Sequence, residues 1–322
     1  MSLLNKKIYV AGHNGMVGSA CIRELNRKGF KNLIFSSSSE LNLRNQHDVY
    51  KFISRKKPDI IIDAAARVGG IEANRKFPYE FLIENLQIQN NLINTAFELN
   101  IDKFIFLGSS CIYPKFSKQP IKEEYLLQSQ LEKTNESYAI AKIAGVKLIE
   151  SLNRQYKKKY ISLMPTNLYG PYDNFDINTS HVLPAMIKKF HDVKINKKSN
   201  SVVLWGSGKV YREFLHVDDL ASAIIFCIEN ELKDNLYNVG YGKDISIYEL
   251  AKLIQNIVNK DCKIIWDNSM PDGTPKKLMD SSKFNNLGWS PKIDLESGIR
   301  STYEWFLNNI DNLKQLKINN EL

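Results

Sequence analysis

The sequence predicts an α/β protein built on a doubly wound parallel sheet. Three observations predict it. Strand and helix signals alternate through the first half of the 322 residues. One strand signal, DIIIDA at 59–64, is a run of β-branched residues such as a sheet covered on both faces requires. A glycine-rich turn sits between the first strand signal and the first helix signal. With 43% hydrophobic and 25% charged residues, the composition is globular, and the length suits one large domain or two intimate ones. No stretch approaches the roughly 18 apolar residues of a membrane span. The first residues run straight into a strand signal with no leader or lipidation motif, which predicts a cytoplasmic protein with no membrane partner.

The elements follow in order. Residues 7–11 (KIYVA) read as the first strand, 16–28 as the first helix and 32–35 as the second strand. After the buried strand at 59–64, residues 84–99 read as helix and 103–107 (KFIFL) as strand, closed by the turn Gly108-Ser109-Ser110. A long helix covers 135–156, and a strand covers 161–164. Past about residue 170 the rhythm breaks into aromatic and turn residues: Tyr169-Gly170-Pro171, Trp205-Gly206-Ser207-Gly208 and Pro271-Asp272-Gly273-Thr274-Pro275. Helices remain clear at 217–230 and 247–258, with a third near 295–308. The expected division is a nucleotide-binding domain over 1–170, with part of 213–243 returning to it, and a smaller α/β substrate-binding lobe over 171–212 and 244–313. Residues after Leu313 are expected to fray.

The net charge of +9 comes from lysines scattered along the chain, with no nucleic-acid-binding motif, so no nucleic-acid partner is expected. Such a field suits a polyanionic ligand, for example a dinucleotide phosphate together with a nucleoside diphosphate sugar. Of the four cysteines, Cys21 and Cys227 fall in apolar helical patterns and read as core. None forms a C-x-x-C pair, so neither a metal site nor a disulfide framework is expected.

Gly12-His13-Asn14-Gly15-Met16-Val17-Gly18 follows the first strand and opens the first helix. The unpaired N–H groups and positive end of a helix attract a pyrophosphate, and glycines let the backbone approach it. A plain turn is the bland alternative. The strand before and the helix after favour a Rossmann-type dinucleotide site. In NAD sites a carboxylate ends the second strand. Here Ser36, Ser37, Ser38 and Ser39 come first and no carboxylate appears until Glu40, which favours NADPH.

Tyr138 and Lys142 stand four apart on the long predicted helix and so share a face. An ammonium beside a phenol favours the phenolate, giving an acid able to protonate a carbonyl oxygen as hydride arrives at carbon. The pair alone is common by chance. Ser109, at the end of the preceding strand, lies where ligands sit in doubly wound sheets and can share that oxygen.

In this order the glycine turn, Ser109 and Tyr138-x-x-x-Lys142 resemble the extended short-chain dehydrogenase/reductase family. Longer strings extend the resemblance from about residue 7 to 308: AGHNGMVGS at 11–19, AAARVGGI at 64–71, LGSSCIYPK at 107–115, TNESYAIAKIAG at 134–145, MPTNLYGP at 164–171, SHV at 180–182, WGSG at 205–208, REFLHVDD at 212–219 and PDGTP at 271–275. They are similar to members of that family acting on GDP-linked 4-keto sugars. The resemblance implies reductase roles for Ser109, Tyr138 and Lys142, with Lys142 also holding the nicotinamide ribose. It implies NADP(H) contacts at Gly12, Asn14, Gly15, Met16, Val17, Gly18, Ser36, Ser37, Ser38, Leu107, Gly108, Lys142, Pro165, Asn167, Leu168 and His181. GDP-sugar contacts fall on Asn167, Lys189, Trp205, Arg212 and Asp272. The family's arginine at the first of these charged positions is Lys189, which keeps charge but loses the planar fork. The arginines that usually meet the 2′-phosphate are replaced by Asn14 and the Ser36–Ser39 run.

Cys111 lies two residues after Ser109, and in an extended segment both would face one pocket. Its thiolate can remove a proton beside the ketone, and His181 can return one on the opposite face. The bland alternatives are a buried small hydrophobe and a surface histidine. The resemblance implies the acid–base pair.

The activity implied is 3,5-epimerisation and NADPH-dependent 4-reduction of GDP-4-keto-6-deoxy-mannose to GDP-L-fucose. The rival is C4-reduction of a related sugar, such as a GDP-4-keto-heptose for surface polysaccharide, with epimerisation reduced or lost. A non-catalytic NADP-binding protein is the alternative of another class. The resemblance also implies a homodimer pairing the long helices. Ile140, Ala144 and Leu148 can serve that interface or the core.

Overall fold

β1 (Ile8–Ala11) is buried along its whole length, which is why its residues are apolar on both faces. The computed structural model describes residues 2–196, 199–270 and 272–313. The fraying expected after Leu313 lies outside these residues, as does Pro271 of the PDGTP turn. From β1 the chain runs through α1 (Met16–Arg27), β2 (Leu33–Ile34), α2 (Gln46–Lys56), β3 (Ile60–Asp63), α3 (Ile71–Lys76), α4 (Pro78–Glu98), β4 (Lys103–Leu107), α5 (Glu136–Tyr156) and β5 (Ile161–Pro165). It continues through β6 (Asn167–Tyr169), α6 (Val182–Asn196), β7 (Ser201–Trp205), β8 (Tyr211–His216), α7 (Val217–Glu229), β9 (Leu236–Val239) and β10 (Asp244–Ser246). The last elements are α8 (Ile247–Val258), β11 (Lys263–Asp267), β12 (Lys276–Lys277), α9 (Ser282–Asn285) and α10 (Leu295–Asn308).

The central sheet has six parallel strands in the order β2-β1-β3-β4-β5-β9. Alternation along the strands sends Ile8, Val10, Ile60, Ile62, Ile105 and Leu107 into one core, with Leu25 of α1 and Leu220 and Ile224 of α7. Tyr9, Ala11, Ile61, Phe104 and Phe106 enter the opposite core, with Phe52 of α2, Leu92 of α4 and Ile149 of α5. Strand order reverses between β1 and β3, and ligands bind such sheets at that switch, outside the carboxyl ends. The turn at Gly12 leaves β1 there.

The helix expected from residue 84 begins at Pro78. Proline at its first positions lacks only an N–H that has no helical partner, so it starts the helix rather than breaking it. α2 has no counterpart among the expected elements. It is capped by Asn45, whose side chain accepts the Asp48 N–H at 3.2 Å, and it buries Val49, Phe52 and Ile53.

Beyond β5, the chain forms short strands that the sequence does not mark individually. β8 pairs with β10, β12 and β6, and β7 pairs in parallel with β11. They share a third core with α6, α8 and α10, including Phe190, Leu204, Leu250, Ile254 and Phe306. Cys21 and Cys227 are wholly buried, as their apolar surroundings required. Among the described residues, no helix is long and apolar enough to cross a membrane.

Candidate active site

The cradle is backbone. Gly12 has φ +76°, and a Cβ there would stand 2.6 Å from the Ala64 carbonyl oxygen. A Cβ on Gly18 would stand 2.2 Å from the Gly12 carbonyl oxygen, so only glycine lets α1 approach its preceding turn. Gly15 caps α1 without a side chain, and its N–H donates to Gly12 O at 2.9 Å. The first turn of α1, with Met16 and Val17, thus presents its N–H groups beside a surface clear of side chains, and exposed Asn14 stands at its rim. A cradle that any Cβ would fill fits a dinucleotide pyrophosphate.

The serine run after β2 is already engaged. Glu40 accepts hydrogen bonds from Ser36 Oγ at 3.2 Å, Ser37 N–H at 2.9 Å and Ser37 Oγ at 3.0 Å. Ser38 follows in the same exposed turn region. Half-exposed Phe35 stacks on His13, ring centroids 4.9 Å apart, between this loop and the glycine turn.

Lys142 reaches from α5 to the carboxyl end of β4. Its residue is 3% exposed, and its Nζ donates to Leu107 O at 2.9 Å. Gly108 is anchored alongside by its N–H to Leu163 O at 2.9 Å. Tyr138, one turn earlier on α5, packs edge-on against Phe81 at 6.3 Å between centroids. The expected acidification of Tyr138 by Lys142 is corrected by the structure. Burial pushes the phenol up, the nearby Cys111 charge pushes it further, and hydrogen bonding to Ser109 opposes the rise. Lys142 does not offset this because its Nζ points to Leu107 O and lies 5.9 Å from the Tyr138 ring centroid. Burial lowers Lys142 itself to about 8, and Asp63 acts upward.

Cys111 joins this group by a different geometry from the extended one expected. Ser110–Ile112 is one turn of 3₁₀ helix, and the Cys111 N–H donates to Ser109 Oγ at 3.2 Å. Strand alternation therefore does not place the thiol. Two donors reach its sulfur: Asn135 Nδ2 at 3.2 Å and Lys277 Nζ at 3.7 Å. His181 precedes α6, in a segment tied to the Gly69-Gly70 loop by Gly70 N–H to Thr179 O at 2.9 Å. Burial of its ring lowers its pKa, and the Lys277 charge lowers it further. Sequence reading missed Asn135 and Lys277. Asn135 stood within the quoted TNESY string and Lys277 two residues past PDGTP, but only folding brings them to the thiol.

Among the elements of the third core, Lys189 Nζ donates to Val203 O at 3.0 Å and lies 5.6 Å from the Trp205 ring centroid. Trp205 is 52% exposed. Asp272 accepts Ser207 N–H at 2.7 Å and Ser207 Oγ at 2.8 Å, just past Trp205. Arg212 is half-buried on β8. Burial lowers its pKa, and the Asp272 charge opposes this. Lys189, Trp205, Arg212 and Asp272 thus gather in one region. Asn167 binds β8 through Nδ2 to Glu213 O at 2.8 Å, Leu168 pairs with Leu215, and Pro165 ends β5 opposite Val239. Glu213, also missed, is wholly buried and accepts N–H groups of Gly242 at 2.7 Å and Met279 at 3.0 Å. It fastens β8 to two neighbouring segments; its signal was a carboxylate inside an apolar strand.

Residues 8–240 match the model of the NAD dependent epimerase/dehydratase family. The chain is 51% identical to GDP-L-fucose synthase 1 of Arabidopsis thaliana, covering 97% of this chain and 96% of the relative. It is 47% identical to GDP-L-fucose synthase of Escherichia coli, covering 96% and 99%. The solved structure of a GDP-mannoheptose C4 reductase from Campylobacter jejuni with NADP bound superposes with a TM-score of 0.85 at 39% identity, covering 95% and 99%. The chain belongs to the NAD dependent epimerase/dehydratase family, within the extended short-chain dehydrogenase/reductases.

Proposed function

We propose that this enzyme converts GDP-4-keto-6-deoxy-mannose to GDP-L-fucose by 3,5-epimerisation and NADPH-dependent reduction at C4. One observation carries the reading. Ser109 Oγ accepts the Cys111 backbone N–H and also hydrogen-bonds Tyr138, so the residue bearing a thiol for α-carbon proton transfer and an acid for the ketone oxygen meet at one serine. A sugar held there can be epimerised and then reduced without release.

NADPH, when bound, supplies hydride to C4. Tyr138 donates its proton to the C4 oxygen. Burial keeps the phenol protonated until negative charge develops on that oxygen. Ser109 Oγ hydrogen-bonds the same oxygen, and the Lys142 ammonium adds positive charge below it. Cys111 removes the proton beside the ketone, its sulfur held by donors from Asn135 and Lys277. The lowered pKa of His181 makes its imidazolium a ready donor on the opposite face. Lys189 and Arg212 offer charge to the diphosphate, with Trp205 and Asp272 beside them.

The NADP-bound relative supports NADPH as the cofactor. The 2′-phosphate would take the Ser36 and Ser37 donors from Glu40. The reading includes the cytoplasm as the site of action, and a homodimer joined through α4 and α5, where Ile140 is exposed. A GDP-4-keto-heptose reductase is the second reading, favoured by the likeness to the mannoheptose reductase. Product NMR after incubation with NADPH and each keto sugar tests both. The first reading expects GDP-L-fucose from the 6-deoxy sugar; turnover of the heptose alone would replace it with the second.

A further inference from the structure

Beneath the reductase residues lies a carboxylate to which the reaction gives no role. Asp63 ends β3 and is 1% exposed. One oxygen accepts the Ala65 N–H at 3.2 Å; the other is buried with no hydrogen-bond partner among the described residues. Its position follows from register. Asp63 pairs with Phe106 on β4, so the two side chains leave the same face of the sheet, the face that α5 covers. Lys142 descends from α5 onto that face, its Nζ 4.7 Å from the Phe106 ring centroid. Among the described residues, a buried carboxylate with one unpartnered oxygen and a buried ammonium hydrogen-bonded to a carbonyl alone therefore flank one phenylalanine. Each alone is costly, and each offsets the other's charge.

We infer that Asp63 is a positioning residue for the reduction, holding Lys142 in its ammonium form from the neighbouring strand. The inference rests on the reductase reading. Burial lowers Lys142 to about 8 and Asp63 acts upward, while burial raises Asp63 to about 6 and Lys142 acts downward. Between those values both groups are charged. The other titratable groups here are Tyr9 on β1, raised by burial and by the Asp63 charge, and Tyr138 on α5. From α4 comes uncharged Gln89, bonded to Ala141 O at 2.6 Å.

Removing the carboxylate removes an upward influence on Lys142, so its proton leaves at lower pH. The test is the pH profile of kcat for NADPH oxidation in the full-length wild type, Asp63→Asn and Asp63→Glu, with ¹⁵N-lysine NMR of the Lys142 ammonium in the same proteins. Asp63→Asn should move the alkaline limb and the Lys142 titration down together by about one pH unit. Asp63→Glu should restore most of the shift. An unmoved Lys142 titration, or activity lost equally at every pH in both variants, overturns the inference. A wild type that reduces no keto sugar counts against the reductase reading instead, because the NMR titration reads the charge pair without turnover.

Discussion

The two sides of the candidate site are made differently. The side proposed for hydride delivery is packed: Ser109 follows β4, Tyr138 and Lys142 stand on α5, and Lys142 is bonded to the strand that precedes it. The side proposed for the sugar nucleotide is open. Lys189, Trp205, Arg212 and Asp272 sit on short strands and turns, and Trp205 is half exposed. A reacting centre needs fixed geometry and exclusion of water, which a sheet edge packed under a helix provides. A surface that takes up and releases a charged nucleotide needs hydration and room. Cys111 and His181 lie between the two, linked through Lys277, whose charge reaches both from the sugar side.

Substitutions on the packed side should lower kcat and those on the open side should raise KM. The largest effect is expected from Tyr138→Phe, which should lower kcat for NADPH oxidation about 10³-fold with little change in KM for the GDP-sugar, measured by steady-state absorbance. Cys111→Ser should slow deuterium exchange at C3 and C5 by about 10²-fold, yet leave hydride transfer to an already epimerised ketone. Arg212→Ala should raise KM for the GDP-sugar about tenfold or more and move kcat less, since a charged contact held in ground and transition state alike is lost. The smallest change is expected at the cofactor rim. Glu40→Gln removes a charge that competes for the Ser36 and Ser37 donors, and should raise the NADPH-to-NADH ratio of kcat/KM about three- to fivefold.

The same contrast explains what the sequence made legible. The glycine turn, the four-residue spacing of Tyr138 and Lys142, and the serine at a strand end are local patterns, and periodicity placed them on the right elements. The α5 face and the β4 terminus could be drawn before the fold was known. Lys277, Asn135 and Asp63 could not. Lys277 is 166 residues from the thiol it contacts. Asp63 becomes a neighbour of Lys142 only through the β3–β4 register. The acidity of Tyr138 was misjudged for a related reason: spacing puts an ammonium near a phenol but does not say where its hydrogen bonds go, and burial outweighed it. The short strands after β5 were hidden because two- to six-residue segments rich in turn residues carry little alternation.

The separation of proton exchange from hydride delivery in one pocket is tested most directly by ¹H NMR of GDP-4-keto-6-deoxy-mannose in D₂O with Tyr138→Phe. The account predicts that the C3 and C5 protons wash out at close to the wild-type rate while NADPH stays unoxidised. Loss of exchange along with reduction, or reduction that survives the missing hydroxyl, would contradict it.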